Sequence, residues 1–378
     1  MKPNILFILH MPPPVHGASM VGKYIHDSHV INETFNCHYF NLTLARDLND
    51  IGKGGIKKLF DFIKQLICIW EVVRKVNPQL CYVTPNAKGG AFYKDFMVIM
   101  LLKIMKQKII IHYHNKGVAT RQNKILDNFL YRQFFKNLKV ILLAEVLYED
   151  IKKYVLRKDV FFCPNGIPDV KDTIIYKKHN HTKAQILFLS NMIASKGVWE
   201  LVKACSLLKE SGVDFKCHFV GKWNDITERE FNIKIHQQKL EDYIVAHGAK
   251  YGKDKIQFFQ NTDIFVFPTY YPNECFPIVL LEAMQQGLPC ISTNEGGIPN
   301  IIDQGKTGFV IEKKNPQQIA DKINYLINHQ EVCKQMGENG YKKYQKEFTL
   351  NTFENRLKDI LINCCDKTLN SSSKIRQA

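Results

Sequence analysis

The feature that most constrains this chain is a rhythm: apolar runs of strand length alternate with segments of helical length and period. Asn4–Leu9 (NILFIL) leads into a Pro/Gly-rich loop, Pro12 to Gly17, and a helical stretch from Ala18. The pattern returns with strand candidates at 37–41, 80–84, 108–114, 139–143 and 160–163, and with helical segments such as Ile56–Val76 and 92–106 between them. Strands that are apolar throughout and separated by helices predict parallel sheets covered on both faces.

Near residue 168 the texture changes. Residues 168–185 are polar and without clear period, with Lys177, Lys178, His179, Asn180 and His181 in series, which reads as an interdomain connection. The rhythm then restarts, with strand candidates at 186–190, Phe215–Val220, 264–268, 289–293 and Gly308–Ile311. At 378 residues the chain is longer than one core usually organises. The expected architecture is therefore two α/β domains, 1–170 and 183–348. An amphipathic helix at 351–366 can pack back on the first domain, and 367–378 is expected as a frayed tail.

Composition narrows the class. Apolar residues make up 45%, with 24 Phe and 16 Tyr, which excludes a disordered, collagenous or coiled-coil chain. The 52 Lys and Arg against 36 Asp and Glu give a net charge of +16, which attracts anions: phosphorylated metabolites, an acidic membrane surface or nucleic acid. Eleven cysteines, an odd number with no CxxC pair and several inside apolar runs, read as reduced buried thiols. The first ten residues lack a cleavage site for a signal peptide. The longest apolar run, 96–102, falls far short of the roughly 20 residues that span a bilayer, so the expected location is cytoplasmic, with contact to the inner membrane surface open.

In open parallel sheets ligands bind beyond the carboxyl ends of the strands. The most informative segment there is NECFPIVLLEAM, from Asn273 to Met284. Glu274 lies in a loop, Glu282 follows eight positions later, and the residues between open an apolar helix whose N-terminus suits phosphate or sugar oxygens. Glu274 is read equally as an ordinary helix cap and Glu282 as a surface charge. Lys196 sits at a strand-to-helix turn, where it is either a solvated lysine or a cation for a phosphate. Gly17 ends the first strand-loop, as a plain turn or as a close approach to phosphate. His112 and His114 alternate onto one face at a strand end; each is a core histidine or a site residue.

Together these residues resemble the retaining glycosyltransferases of family four. The E-x7-E pair Glu274 and Glu282, with Phe276 and Pro277 between them, is similar to that family's motif. Ser195-Lys196-Gly197, Pro164-Asn165-Gly166, Glu295-Gly296-Gly297-Ile298-Pro299 and Gly305-Lys306-Thr307-Gly308 follow its other stretches in collinear order, from about Asn4 to Tyr344. The resemblance implies a GT-B fold, two Rossmann-like domains with parallel sheets facing a central cleft, and a nucleotide-sugar donor. It implies catalytic roles for His114, Glu274 and Lys196. For donor binding it implies Gly17, Ser190, Asn191, Lys196, Glu274, Phe276, Pro277, Ile278 and Glu282. Lys196 would neutralise the departing diphosphate, and Glu274 would bind sugar hydroxyls.

Three positions depart from the family pattern. Asn191 stands where the family usually has an arginine, so neutralisation rests on Lys196, helix dipoles and another base such as Lys116. Pro277 replaces a glycine and offers no N–H, leaving Phe276 and Ile278 as backbone donors. Asn300 stands where a glutamate is usual.

No DxD loop and no zinc spacing occur, so no cofactor and no metal are expected. The implied function is a retaining, metal-independent transfer from a nucleotide-sugar to a saccharide or lipid-linked saccharide in surface polysaccharide (lipopolysaccharide or capsule) biosynthesis. The competing readings are a nucleotide-sugar epimerase or phosphorylase on the same frame, and a non-catalytic basic protein binding nucleic acid or membrane. No nucleic-acid motif is present. The segment 53–75, and 92–106 like it, is read either as packing on the sheet or as lying on an anionic bilayer. The donor base and sugar, the acceptor and the linkage depend on loop shapes such as 222–227 and 250–255.

Overall fold

A computed structural model describes residues 2–13, 17–42, 56–170 and 182–365, with backbone alone at 56–59. Pro14, Val15 and His16 of the first loop, most of the 168–185 connection and the 367–378 tail lie outside the described residues. The chain forms two compact units: Met1–Asn165 together with the stretch from Leu350 on, and Gly166–Thr349.

Unit 1 runs β1 (Asn4–Leu9), α1 (Gly17–Asp27), α2 (His29–Thr34), β2 (Asn36–Asn41), α3 (Ile56–Val76), β3 (Leu80–Val83), α4 (Gly89–Ile104), β4 (Ile109–His112), α5 (Ile125–Phe135), β5 (Lys139–Leu142) and β6 (Val160–Phe162). Its six-stranded sheet has the order β2-β1-β3-β4-β5-β6. Among the described residues its strand pairings are all parallel, with Phe7 opposite Tyr39 on one side and Tyr82 on the other. Ile5 to Leu9 are fully buried, as expected of a strand covered on both faces.

Unit 2 runs β7 (Ala184–Leu189), α6 (Val198–Glu210), β8 (Phe215–Val220), α7 (Glu228–Gln237), β9 (Ile244–Ala246), α8 (Gly252–Gln260), β10 (Ile264–Phe267), α9 (Ile278–Gln285), β11 (Cys290–Thr293), α10 (Ile298–Ile301), β12 (Gly308–Ile311), α11 (Pro316–Asn328) and α12 (Gln330–Glu347). Its strand order is β12-β11-β10-β7-β8-β9. Helix starts follow local chemistry: the side chains of Thr227 and Asn315 accept from the backbone at Glu230 and Gln318, and Pro316 occupies the first turn of α11. The last helix, α13 (Leu350–Cys365), belongs to unit 1, where it packs on α2 and buries Phe353, Leu357 and Leu361.

The alternating α/β architecture expected from sequence is present, with several local corrections. Ala184 and Gln185 are not connection but strand, paired with Phe215 and Lys216. β4 stops at His112, although the Tyr113 amide still donates to the Ile141 carbonyl. The helix expected at 92–106 starts three residues earlier, at Gly89, and ends at Ile104. Residues 252–255 are the first turn of α8 rather than loop. β9 is additional; it is three residues long and only its first is buried, so it carried little apolar signal. All eleven cysteines are free thiols.

Candidate functional site

In unit 2 the chain runs from β7 through β8 to β9 in one direction, and β10 then lies on the far side of β7. The loops after β7 and β10 therefore leave the sheet on opposite courses and open a crevice at the carboxyl edge, the topological switch point where open α/β sheets hold ligands. Ser190, Asn191 and Lys196 follow β7, and Thr269, Tyr271 and Glu274 follow β10.

Backbone packing brings these two loops together. Gly197 has φ +89°, and a Cβ there would lie 2.2 Å from the Pro268 carbonyl oxygen, so only glycine fits. The Tyr270 amide donates to the Ser195 carbonyl at 2.8 Å. Gly221 similarly lets β8 pass against the Ser190 carbonyl. From this junction Lys196 Nζ reaches Glu274 Oε2 at 2.5 Å. The two side chains are only 14% and 10% exposed. The ammonium also lies 4.4 Å from the Tyr271 ring centroid and 5.5 Å from that of Phe267.

The Glu274 loop is clamped from a third side. Gly296 has φ +54°, and a Cβ on it would meet the Glu274 carbonyl oxygen at 2.3 Å. The Gly297 amide donates to the Cys275 carbonyl at 2.6 Å, and the Thr293 hydroxyl donates to the Thr269 carbonyl. The buried Glu295 carboxylate is held by Lys313 at 2.7 Å. The paired glycines of 296–297 thus fix the backbone of Glu274.

Pro277 occupies the N-cap of α9 and makes no side-chain cap; Phe276 before it is buried edge-on against Phe348, and Ile278 opens the helix. Glu282 stands in the second turn of α9, where Lys255 of α8 reaches its Oε1 at 2.5 Å. Asn191, in the place of the family arginine, is exposed. Besides Lys196, a further cation reaches the β10 loop from the segment after β12, where Lys314 lies 4.8 Å from the Tyr270 ring. Burial raises the Glu200 carboxyl, while its hydrogen bond from Tyr270 and the charge of Lys314 act the other way.

His114 and Gly17 belong to unit 1. Gly17 is exposed at the first position of α1. His114 follows β4, with its ring 4.2 Å from that of His112. Desolvation lowers its pKa to about 3, with Asn165 beside it acting in the opposite direction, so the ring is neutral near pH 7. His112 is fully buried and shares a 2.6 Å hydrogen bond with the Tyr82 hydroxyl.

The structure therefore brings Lys196 and Glu274 into direct contact and gives Glu282 a partner. Lys196, Glu274 and Glu282 are among the residues expected from the sequence, whereas Tyr271, Lys255 and Lys314 are not. Tyr271 carried a signal, being three residues before Glu274 in a loop after a strand; nothing local marks Lys255.

Residues 170–343 match the family described as glycosyl transferases group 1. The capsular polysaccharide biosynthesis glycosyltransferase CapM of Staphylococcus aureus is 29% identical over 177 residues, 46% of this chain and 44% of that protein. The N-acetyl-alpha-D-glucosaminyl L-malate synthase of Bacillus anthracis is 37% identical over 181 residues, 47% of this chain and 45% of that one. These matches span about half the length of the curated relatives. Among solved structures, Anabaena Alr3699/HepE in complex with UDP superposes with a TM-score of 0.74 at 15% identity, covering 96% of this chain and 100% of that one, a likeness of fold. The chain thus contains a domain of the glycosyl transferases group 1 family, and its two parallel six-stranded units are of the GT-B class. No described helix is long and apolar enough to cross a membrane.

Proposed function

We propose that this protein is a retaining glycosyltransferase that moves a sugar from a nucleoside diphosphate sugar to a saccharide or lipid-linked saccharide acceptor in surface polysaccharide assembly. The observation that carries the reading is the Lys196–Glu274 pair, shielded and clamped at the switch point of unit 2. The presence of polysaccharide glycosyltransferases such as CapM among the relatives, and of UDP in the complex of Alr3699/HepE, supports the substrate class.

In this reading the bond between the sugar's anomeric carbon and the diphosphate oxygen breaks, and an acceptor hydroxyl adds on the same face. The acceptor proton passes to the departing phosphate oxygen, so charge and atoms balance. Lys196 Nζ has three N–H donors, of which Glu274 takes one; the others stabilise the negative charge growing on the diphosphate. The N-terminus of α9, with the amides of Phe276 and Ile278, adds fixed positive potential. Glu274 accepts from sugar hydroxyls, Glu282 from the nucleoside ribose, and neutral His114 serves as a hydrogen-bonding group for the reacting hydroxyl. Ser190, Asn191 and Gly17 complete the donor-binding set. Positive charge comes from the protein itself, so transfer is proposed to need neither a metal nor a cofactor.

Incubation with a panel of nucleoside diphosphate sugars and acceptor saccharides, with and without EDTA, tests the reading. The expected result is consumption of a particular donor, insensitivity to EDTA, and a product whose anomeric configuration, read by NMR, matches the donor's. An inverted product or a donor converted without any acceptor would overturn it.

A further inference from the structure

The apolar surface left uncovered in unit 1 is concentrated on one face. α3 packs on α4 and α4 on α5. The crossovers β2 to β3, β3 to β4 and β4 to β5 all advance in the same direction across the sheet, so right-handed connections place the three helices on the same side. α3 buries Phe62, Gln65, Ile69 and Val73 and turns the opposite stripe outward: Phe60 (61% exposed), Ile63, Ile67 and Trp70. Their spacing of three or four residues lines them along one side of a helix about 30 Å long. α4 adds Met97 and Ile104, the latter 76% exposed, and α5 adds Ile125 (91% exposed), Leu126 and Phe129. A soluble surface rarely turns nine large apolar side chains outward from one layer of helices without a partner.

The charge around the patch selects the partner. On these three helices the exposed charged side chains are Lys64, Arg74, Lys75, Lys94 and Arg132 against Asp61 and Glu71 alone, leaving aside 56–59. The Arg74 guanidinium lies 4.9 Å from the Trp70 ring centroid, a pairing of aromatic body and cation suited to the boundary between apolar and wet phases. The remaining acids of α4 and α5, Asp95 and Asp127, are buried.

We infer that the α3–α4–α5 face of unit 1 docks on an anionic phospholipid bilayer. The apolar side chains enter the boundary between headgroups and acyl chains, and the lysines and arginines meet the phosphates. The helices lie on the bilayer rather than span it. This inference does not depend on the proposed reaction.

The experiment is co-sedimentation of the full chain with vesicles of phosphatidylglycerol and phosphatidylcholine, and with phosphatidylcholine alone. Binding is expected to the anionic vesicles only, and to weaken as salt is raised. The exposed triple variant Phe60→Ser, Trp70→Ser and Phe129→Ser should bind at least about tenfold more weakly. Lys64→Glu should weaken binding by about fivefold or more. Thermal melts check that both variants fold. Equal binding to both vesicle types, or unchanged binding by the folded triple variant, would overturn the inference. So would self-association of the wild type that the triple variant loses, since the face would then belong to a second copy of the chain.

Discussion

Gly296 passes so close to Glu274 that a single added methyl would sit 2.3 Å from the Glu274 carbonyl oxygen, in a backbone conformation (φ +54°) that side chains disfavour. The loop after β11 therefore sets the position of a carboxylate delivered by the loop after β10. The contact turns the glycine pair from a sequence motif into a mechanical constraint on the site. Gly296→Ala is expected to lower stability by about 1–3 kcal/mol and to reduce sugar transfer beyond what that loss explains. A thermal melt alongside a transfer assay below the melting range separates the two effects.

Lys196→Ala removes the cation and leaves Glu274 with little exposure and no ammonium. Loss of a preorganised donor to developing charge costs a factor of roughly 10²–10³ in turnover. Lys196→Arg is expected to restore little, because a planar guanidinium does not fit the space between Glu274 and the Tyr271 ring as a compact ammonium does. Steady-state kinetics of the two variants check this, and full turnover in either would contradict the role given to Lys196.

Lys255 holds Glu282 from the neighbouring helix. Lys255→Ala should free the carboxylate to choose other orientations and raise the KM for donor by about three- to tenfold, with kcat little changed. Lys255→Arg, which can still meet the carboxylate, should recover most of that loss. Equal effects of Ala and Arg on KM would show that Lys255 does not orient Glu282.

The histidines of unit 1 predict a pH dependence of stability. Burial lowers His10 to about 4 and His114 to about 3, and places His112 well below its ordinary range. Unfolded histidines titrate near 6.5, so between pH 6.5 and about 4 the unfolded chain binds protons that the folded chain does not, and stability falls as pH falls. Asp95 acts in the opposite sense: burial raises it to about 7, so the folded chain holds a proton there that the unfolded chain releases. Glu200 and Glu354, also raised by burial, act in the sense of Asp95, and His247, lowered by burial, acts with the other histidines; the large histidine shifts dominate, and the net effect is a melting temperature that drops from pH 7 to pH 5. His114→Asn should flatten that slope, measured by calorimetry at several pH values.

Much of the fold is legible in the sequence because parallel strands covered on both faces must be apolar throughout. NILFIL at Asn4–Leu9 and GFVI at Gly308–Ile311 stand out for this reason. β9 does not, since Val245 and Ala246 are only half-buried and an edge strand tolerates weaker patterning. Lys196 and Glu274 were each identifiable from their places after strands. Their contact was not, because 78 residues separate them and the register of β7 beside β10 brings them together. Tyr271 is marked by its place in the loop after β10, although its contact with Lys196 is not, whereas Lys255 becomes visible only once α8 packs beside α9. Gly296 was visible as part of a motif, but its purpose, a close approach to the Glu274 backbone, needs three dimensions.

The role of the Lys196–Glu274 pair in holding the donor is tested by calorimetric titration of the consumed nucleoside diphosphate sugar into the wild type, Lys196→Ala, Glu274→Ala and the exposed-surface control Lys203→Ala. Binding is expected from the wild type and the control, and at least about tenfold weaker binding from each of the other two, a difference of about 1.4 kcal/mol. Unchanged affinity in folded Lys196→Ala and Glu274→Ala would contradict it.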